Sequence, residues 1–136
     1  MISNESSSNE LYQRAYTLYN KGHYKEAKNT LSKIGLEKLN NPTYVNLLSL
    51  CHINLNNTNA AVDILLKGIQ AFPTDKNLIN NYTKLLLNLK QYKSIIQYIE
   101  CTLPEETKDA YIYLTLAHAY HQLGKNGKSL NILKNM

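Results

Sequence analysis

The sequence predicts an all-α fold in which four helix–turn–helix units, eight helices in all, stack into a solenoid. Three observations carry that prediction. Written with a period of 34 residues, the chain aligns without gaps through four copies, which marks a repeat array rather than a single globule. Residue types recur in columns: Ala15, Ser49, Thr83 and Ala117; Ala27, Ala61, Ile95 and Ser129; Leu31, Leu65, Ile99 and Leu133. Thr83 and Ile95 are the bulkier exceptions and should hold the third unit's helices slightly further apart. Turn-forming positions recur too, with Gly22, Asn56, Lys90 and Gly124 between the two halves of each unit.

Each element follows from its residues. The first half of a unit is apolar at helical spacing, as in Leu11, Ala15 and Leu18, Val45, Leu48 and His52, or Tyr113, Leu116 and Tyr120. At the break, Gly22 or Gly124 takes a left-handed backbone at little cost, and Asn56 tolerates one. The second half is helical again, in Ala27, Leu31 and Ile34, in Ala61, Leu65 and Gly68, and in Ile95 and Ile99. The short columns are where paired helices approach. Pro73 closes the second unit, and Thr74 and Asp75 are candidate caps for the next helix. The units fall at about 8–41, 42–75, 76–109 and 110–136, the last truncated, after a leader over residues 1–8 expected to be disordered.

Composition narrows the function classes. A chain of 136 residues with 43% hydrophobic content suits one domain. Basic residues outnumber acidic ones 15 to 10, but Arg14 is the one arginine and the lysines are scattered. That pattern matches AT-rich codon usage better than a nucleic-acid footprint. Cys51 and Cys101 lack the spacing of a zinc knuckle or a disulfide framework. The start, MISNESSSNE, has neither the basic end nor the apolar stretch of a signal peptide, and no apolar run reaches the ~18 residues of a membrane span. The expectation is a cytoplasmic protein off the membrane.

No phosphate-cradling loop, GxSxG or HExxH is present, so no enzyme activity and no cofactor is expected. One stretch tests that reading. In LTLAHAYHQLGK, residues 114–125, His118 and His121 lie on one helical turn. A structural zinc wants four ligands, and no cysteine or acid is spaced to complete the set. Their equivalents one, two and three periods earlier are Lys84 and Leu87, Leu50 and Ile53, and Tyr16 and Tyr19. Imidazole is therefore no feature of the architecture, and no metal site is expected.

The last unit reads Tyr113-x2-Leu116-Ala117-x2-Tyr120, then Ser129-x3-Leu133. The first has Leu11, Ala15 and Leu18, then Gly22-His-Tyr24-Lys-Glu-Ala27 and Leu31; the second adds Ala61-x3-Leu65 and Pro73. Over about residues 9–136 this resembles the tetratricopeptide repeat, with its period of 34. The resemblance implies a right-handed α-solenoid whose first helices line a concave groove that binds a peptide or helix of a partner protein. There are departures. Arg14 replaces a leucine, Lys90 sits at a turn, and Pro104 comes three residues early, so that unit's second helix should end early. The pattern stops at Met136 inside the final helix. Because a solenoid needs a polar cover on its last apolar edge, the expectation is a piece of a longer array, or an edge covered by a partner or by self-association.

Under that resemblance the groove takes the outward stripes of the first helices. Tyr12, Tyr16 and Tyr19 form one stripe, continued by Leu50 and Ile53, and offer anchors for apolar side chains. Asn20, Asn54, Asn88 and Gln122 form a carboxamide column, with Asn46 and Asn80 starting a second; amides both donate and accept, as an extended peptide backbone requires. Asn81, Lys84, Thr115, His118 and His121 complete the expected groove.

The expected partner is a protein or peptide with apolar anchors. The family's clamp for acidic tails of heat-shock chaperones needs cations on successive first helices, and neither Tyr12, Tyr16, Leu47, Asn77 and Asn81 nor Asn46, Leu50, Asn81, Tyr111 and Thr115 supplies them. Two alternatives remain open. One is a small chaperone similar to those of bacterial type III secretion; the other is a helical-repeat RNA binder of the pentatricopeptide kind, whose period is one residue longer.

Overall fold

The computed structural model describes residues 4–35 and 41–136. It holds eight α-helices among the described residues: α1 (Asn4–Asn20), α2 (Tyr24–Ser32), α3 (Pro42–Asn54), α4 (Thr58–Ala71), α5 (Lys76–Asn88), α6 (Tyr92–Gln97), α7 (Ala110–Gln122) and α8 (Asn126–Lys134). No strand occurs among those residues. The helices fall into two compact units, residues 1–72 with α1 to α4 and residues 73–136 with α5 to α8.

The leader is shorter than the sequence implies. Helix α1 reaches back to Asn4, so residues 4–8 are helical, and Ser8 is buried. The run of serines gave no apolar signal, yet extending an existing helix adds one hydrogen bond per residue fixed. Residues 1–3 lie outside the described residues.

The 34-residue period is built into the backbone at both kinds of helix end. Asn41, Asp75 and Asp109 stand 34 apart, and each side-chain oxygen accepts a backbone N–H of the helix that follows, from Thr43, Leu78 and Ile112 at 2.9, 3.0 and 3.1 Å. Asp75, rather than Thr74, is the cap. At the turns, Gly22, Asn56, Lys90 and Gly124 all have positive φ, at 85°, 63°, 58° and 77°. Each precedes the same closing bond. His23 N–H donates to Leu18 O, Asn57 to His52, Gln91 to Leu86 and Lys125 to Tyr120, all at 2.8–2.9 Å. The six-to-one bond of this C-cap needs a left-handed residue just before the donor. The turn column is thus one backbone motif used four times.

In the first unit, Ala15, Ala27, Leu31, Ile34, Tyr44, Leu47 and Cys51 form one buried cluster, with Leu11 and Leu18 half-buried against it. Helix α3 therefore seats Tyr44, Leu47 and Cys51 on the hairpin of α1 and α2. In the second unit, Leu78, Thr83, Ile95, Ile99, Ile112 and Leu116 are buried. Ser129 Oγ donates to Ala117 O at 2.8 Å in the interior of the α7–α8 hairpin, an approach that the small column allows.

The early proline acts as expected. Leu103 is extended (φ −68°, ψ 129°) before Pro104, because the proline ring excludes helical backbone there. Helix α6 runs only six residues and widens into a π-helical turn over Tyr98–Thr102, closed by Leu103 N–H to Tyr98 O at 2.8 Å. A short 3₁₀ turn, Glu105–Thr107, leads to the Asp109 cap.

Candidate functional site: first-helix face and last hairpin

In the first unit, α1 and α3 lie side by side, pinned at two places. The Tyr12 ring stacks on Tyr44 at 5.1 Å between centroids, and Tyr44 Oη donates to Asn9 Oδ1 at 2.8 Å. Further along, Asn54 Nδ2 donates to Tyr19 Oη at 3.2 Å and to Leu50 O at 2.9 Å. The Tyr19 ring also meets Tyr24 edge-on at 5.2 Å. Burial pushes the Tyr12 phenol above its ordinary value, helped by the neighbouring phenols of Tyr16 and Tyr44.

Two of the three tyrosines expected as partner anchors are therefore turned onto the neighbouring helix. Tyr12 meets Tyr44 and Tyr19 meets Asn54, both on α3, while Leu11 and Leu18 pack against the buried cluster. Tyr16 alone of the stripe stands out, 46% exposed. Leu50 and Ile53 beside it are half-buried. Asn20 and Asn54 are exposed, but the donor side of the Asn54 amide already serves Tyr19 and Leu50. Asn46 is half-buried.

In the second unit, Asn80, Lys84 and Asn88 are exposed on α5, as are His118, His121 and Gln122 on α7; Asn81 is half-buried. Thr115 departs from expectation. It is only 4% exposed, and its hydroxyl donates to Tyr111 O at 2.8 Å, so it lines no accessible groove. Helical phase places it on the covered side of α7 with Ile112 and Ala119.

His118 and His121 open onto a cavity of about 490 Å³ formed by α7 and α8, walled by Leu114, Ala117, Leu130 and Leu133. His121 Nδ1 lies 2.8 Å from Asn126 Oδ1, and the His118 ring meets Tyr92 edge-on at 6.1 Å. Among the described residues, no three His, Cys, Asp or Glu side chains gather to hold a metal ion. Leu130 and Leu133 were absent from the expected site. The column Val62, Ile96 and Leu130, apolar in three units, was the available signal.

Elsewhere in this unit, Tyr120 Oη donates to Glu100 Oε1 at 2.6 Å, tying the π-helical turn to α7. Burial, then that bond and the charge of Glu100, push the Tyr120 phenol up to about 12. Both cysteines are free thiols. Burial raises Cys51 to about 11, so it is protonated at neutral pH and a poor nucleophile. No helix among the described residues is long and apolar enough to cross a membrane.

Capped helix pairs in a 34-residue register, with small residues at the crossings of three of the four units, define an α-helical repeat scaffold. The chain belongs to the tetratricopeptide-repeat family, whose model matches residues 4–135. Solved structures agree on the fold. A MamA double mutant (RS-1) superposes with a TM-score of 0.77 at 20% identity, over 93% of this chain and 71% of that one. A crystal structure of MamA protein gives 0.77 at 16%, over 93% and 69%. MamA from residue 41 to its end, from Desulfovibrio magneticus RS-1, gives 0.72 at 22%, over 92% and 72%. No curated protein matches the sequence. The family places the chain among protein-interaction scaffolds, which are typically non-catalytic.

Proposed function

We propose that the chain holds a peptide or helix of a partner protein against the first-helix face, and that it does so in the cytoplasm. One observation carries this reading: Tyr16 is 46% exposed between the two pinned contacts of α1 and α3. A large aromatic held in place by its surroundings loses little entropy on binding, which makes it a good anchor. Leu50 and Ile53 extend the apolar surface, and Asn20 with the Asn54 carbonyl oxygen offers backbone hydrogen bonding beside it. Lys84 is the one full cation in the expected groove set, which disfavours an acidic chaperone tail. A chaperone for an aggregation-prone subunit would use the same face with a longer occupant.

Selection of peptides from a random displayed library tests the reading. Selected peptides should carry apolar anchors and bind about tenfold more weakly to Tyr16→Ala and to Leu50→Ala, a loss of ~1.4 kcal/mol. Circular dichroism should show unchanged helicity in both variants. If neither substitution weakens binding, the face is wrongly assigned; salt-dependent binding of single-stranded RNA instead would favour the nucleic-acid alternative.

A further inference from the structure

The second unit holds another cavity of about 490 Å³, bounded by α6 with its π-helical turn on one side and by the α7–α8 hairpin on the other. Ile96, Leu123 and the buried Tyr120 ring give it an apolar lining. Lys93, Lys125 and Lys128, all exposed, line it as well. One carboxylate, Glu100, shares the cavity, but it accepts the Tyr120 hydroxyl at 2.6 Å rather than pairing with a lysine. The ion pairs among the described residues are Lys76 with Asp109 and Lys108 with Glu105, so the chain itself neutralises none of the three cavity lysines. Lys128 is held over the Tyr120 ring, its Nζ 5.4 Å from the centroid.

These charges are no part of the repeat. One period earlier the lysine positions hold Asn59, Gln91 and Ser94; two periods earlier Lys25 alone is charged, with Asn57 and Ala60. Glu100 and Tyr120 likewise stand where the preceding period has Leu66 and Leu86. Helix pairing therefore does not require lysine here. Three cations around one cavity repel one another, and an anion relieves that repulsion. Exposed lysines hold an isolated anion weakly, because each is well hydrated and screened. A segment that brings several carboxylates at once, with one apolar side chain to cover Ile96 and Leu123, gains from both charge and burial. We propose that this cavity binds an acidic segment of a partner protein in which an apolar residue stands between carboxylates.

Cys101 gives the cavity its own reporter. It is exposed on the lining while Cys51 is buried, so an uncharged disulfide reagent should label Cys101 first in the folded full chain. The probe is a peptide of leucine flanked by glutamates, compared with lysine in place of glutamate, with glycine in place of leucine, and with inorganic phosphate alone. The acidic leucine peptide should slow labelling most, and raised salt should weaken that protection. Its Kd by fluorescence anisotropy should rise about tenfold in the double variant Lys93→Gln, Lys128→Gln. It should stay unchanged in Tyr16→Ala and in Lys134→Gln, which removes the same kind of charge outside the cavity. Circular dichroism checks the fold, and either single glutamine variant serves if the double one loses helicity. No protection, equal protection by the lysine or glycine peptide, or an equal loss in Lys134→Gln overturns the proposal. Phosphate protecting as well as the peptide overturns it too, because the occupant would then be a small anion.

Discussion

The first hairpin, α1 with α2, and the last, α7 with α8, follow the same plan in different surroundings. Both are closed by a glycine at positive φ and the same six-to-one bond, and both bring a small residue on one helix against a small residue on the other. In the first, the apolar row left over from the pairing is occupied by α3, and Leu31 is fully buried. In the last, the corresponding Leu133 is 42% exposed. A hairpin in this architecture thus satisfies its own backbone but not its own apolar surface. The contribution of a given column depends on what lies against it, not on the residue that fills it.

The widest separation between the two hairpins should appear on truncating that leucine. Leu31→Ala is expected to destabilise by about 3 kcal/mol, through lost burial and a residual cavity, and Leu133→Ala by no more than about 1 kcal/mol. Chemical denaturation of both variants measures the difference, and equal losses would break the comparison. Next in size is the tie that only the second unit has. Tyr120→Phe removes the bond to Glu100 and should cost about 1.5 kcal/mol in the same measurement.

Turn chemistry comes third. A Cβ on Gly22 would meet nothing within 4 Å, so Gly22→Ala costs only the left-handed backbone, about 1 kcal/mol. Lys90 already bears that cost at φ 58°, so Lys90→Gly should stabilise by roughly 0.5 kcal/mol. Opposite signs in thermal melts would establish the four turns as one motif.

A further contrast between folded and unfolded chain is expected with pH. Tyr98 and Tyr120 are held neutral up to about 12, chiefly by burial. The unfolded chain loses these protons first, near 10, so folding stability should fall as pH rises through 10 toward 12. An absorbance titration should show two phenols ionising late, both restored to the main step on unfolding.

Much of this was readable in advance because it is local. The period of 34, the turn column and the early end forced by Pro104 each depend on backbone preferences within a few residues. Two of the helix caps, Asn41 and Asp109, repeat Asp75 at the same interval but stand outside the apolar pattern, so hydrophobic periodicity alone does not reveal them. The site was less legible. Tyr12 and Tyr19 share a stripe with Tyr16, and helical phase alone gives no reason why two of them should pack inward while the third stays out. Thr115 similarly looks like a groove residue until Ile112 and Ala119 are seen buried on the same side of α7.

The sequence by itself determined the helices, their caps, the four left-handed turns and the pairing of each hairpin, because hydrogen bonds and steric limits spanning at most one period decide them. Only the tertiary structure decided which apolar row is covered and which remains open. A helix buries whichever side its neighbour reaches, and the neighbour's reach is set by packing between hairpins rather than by spacing along the chain.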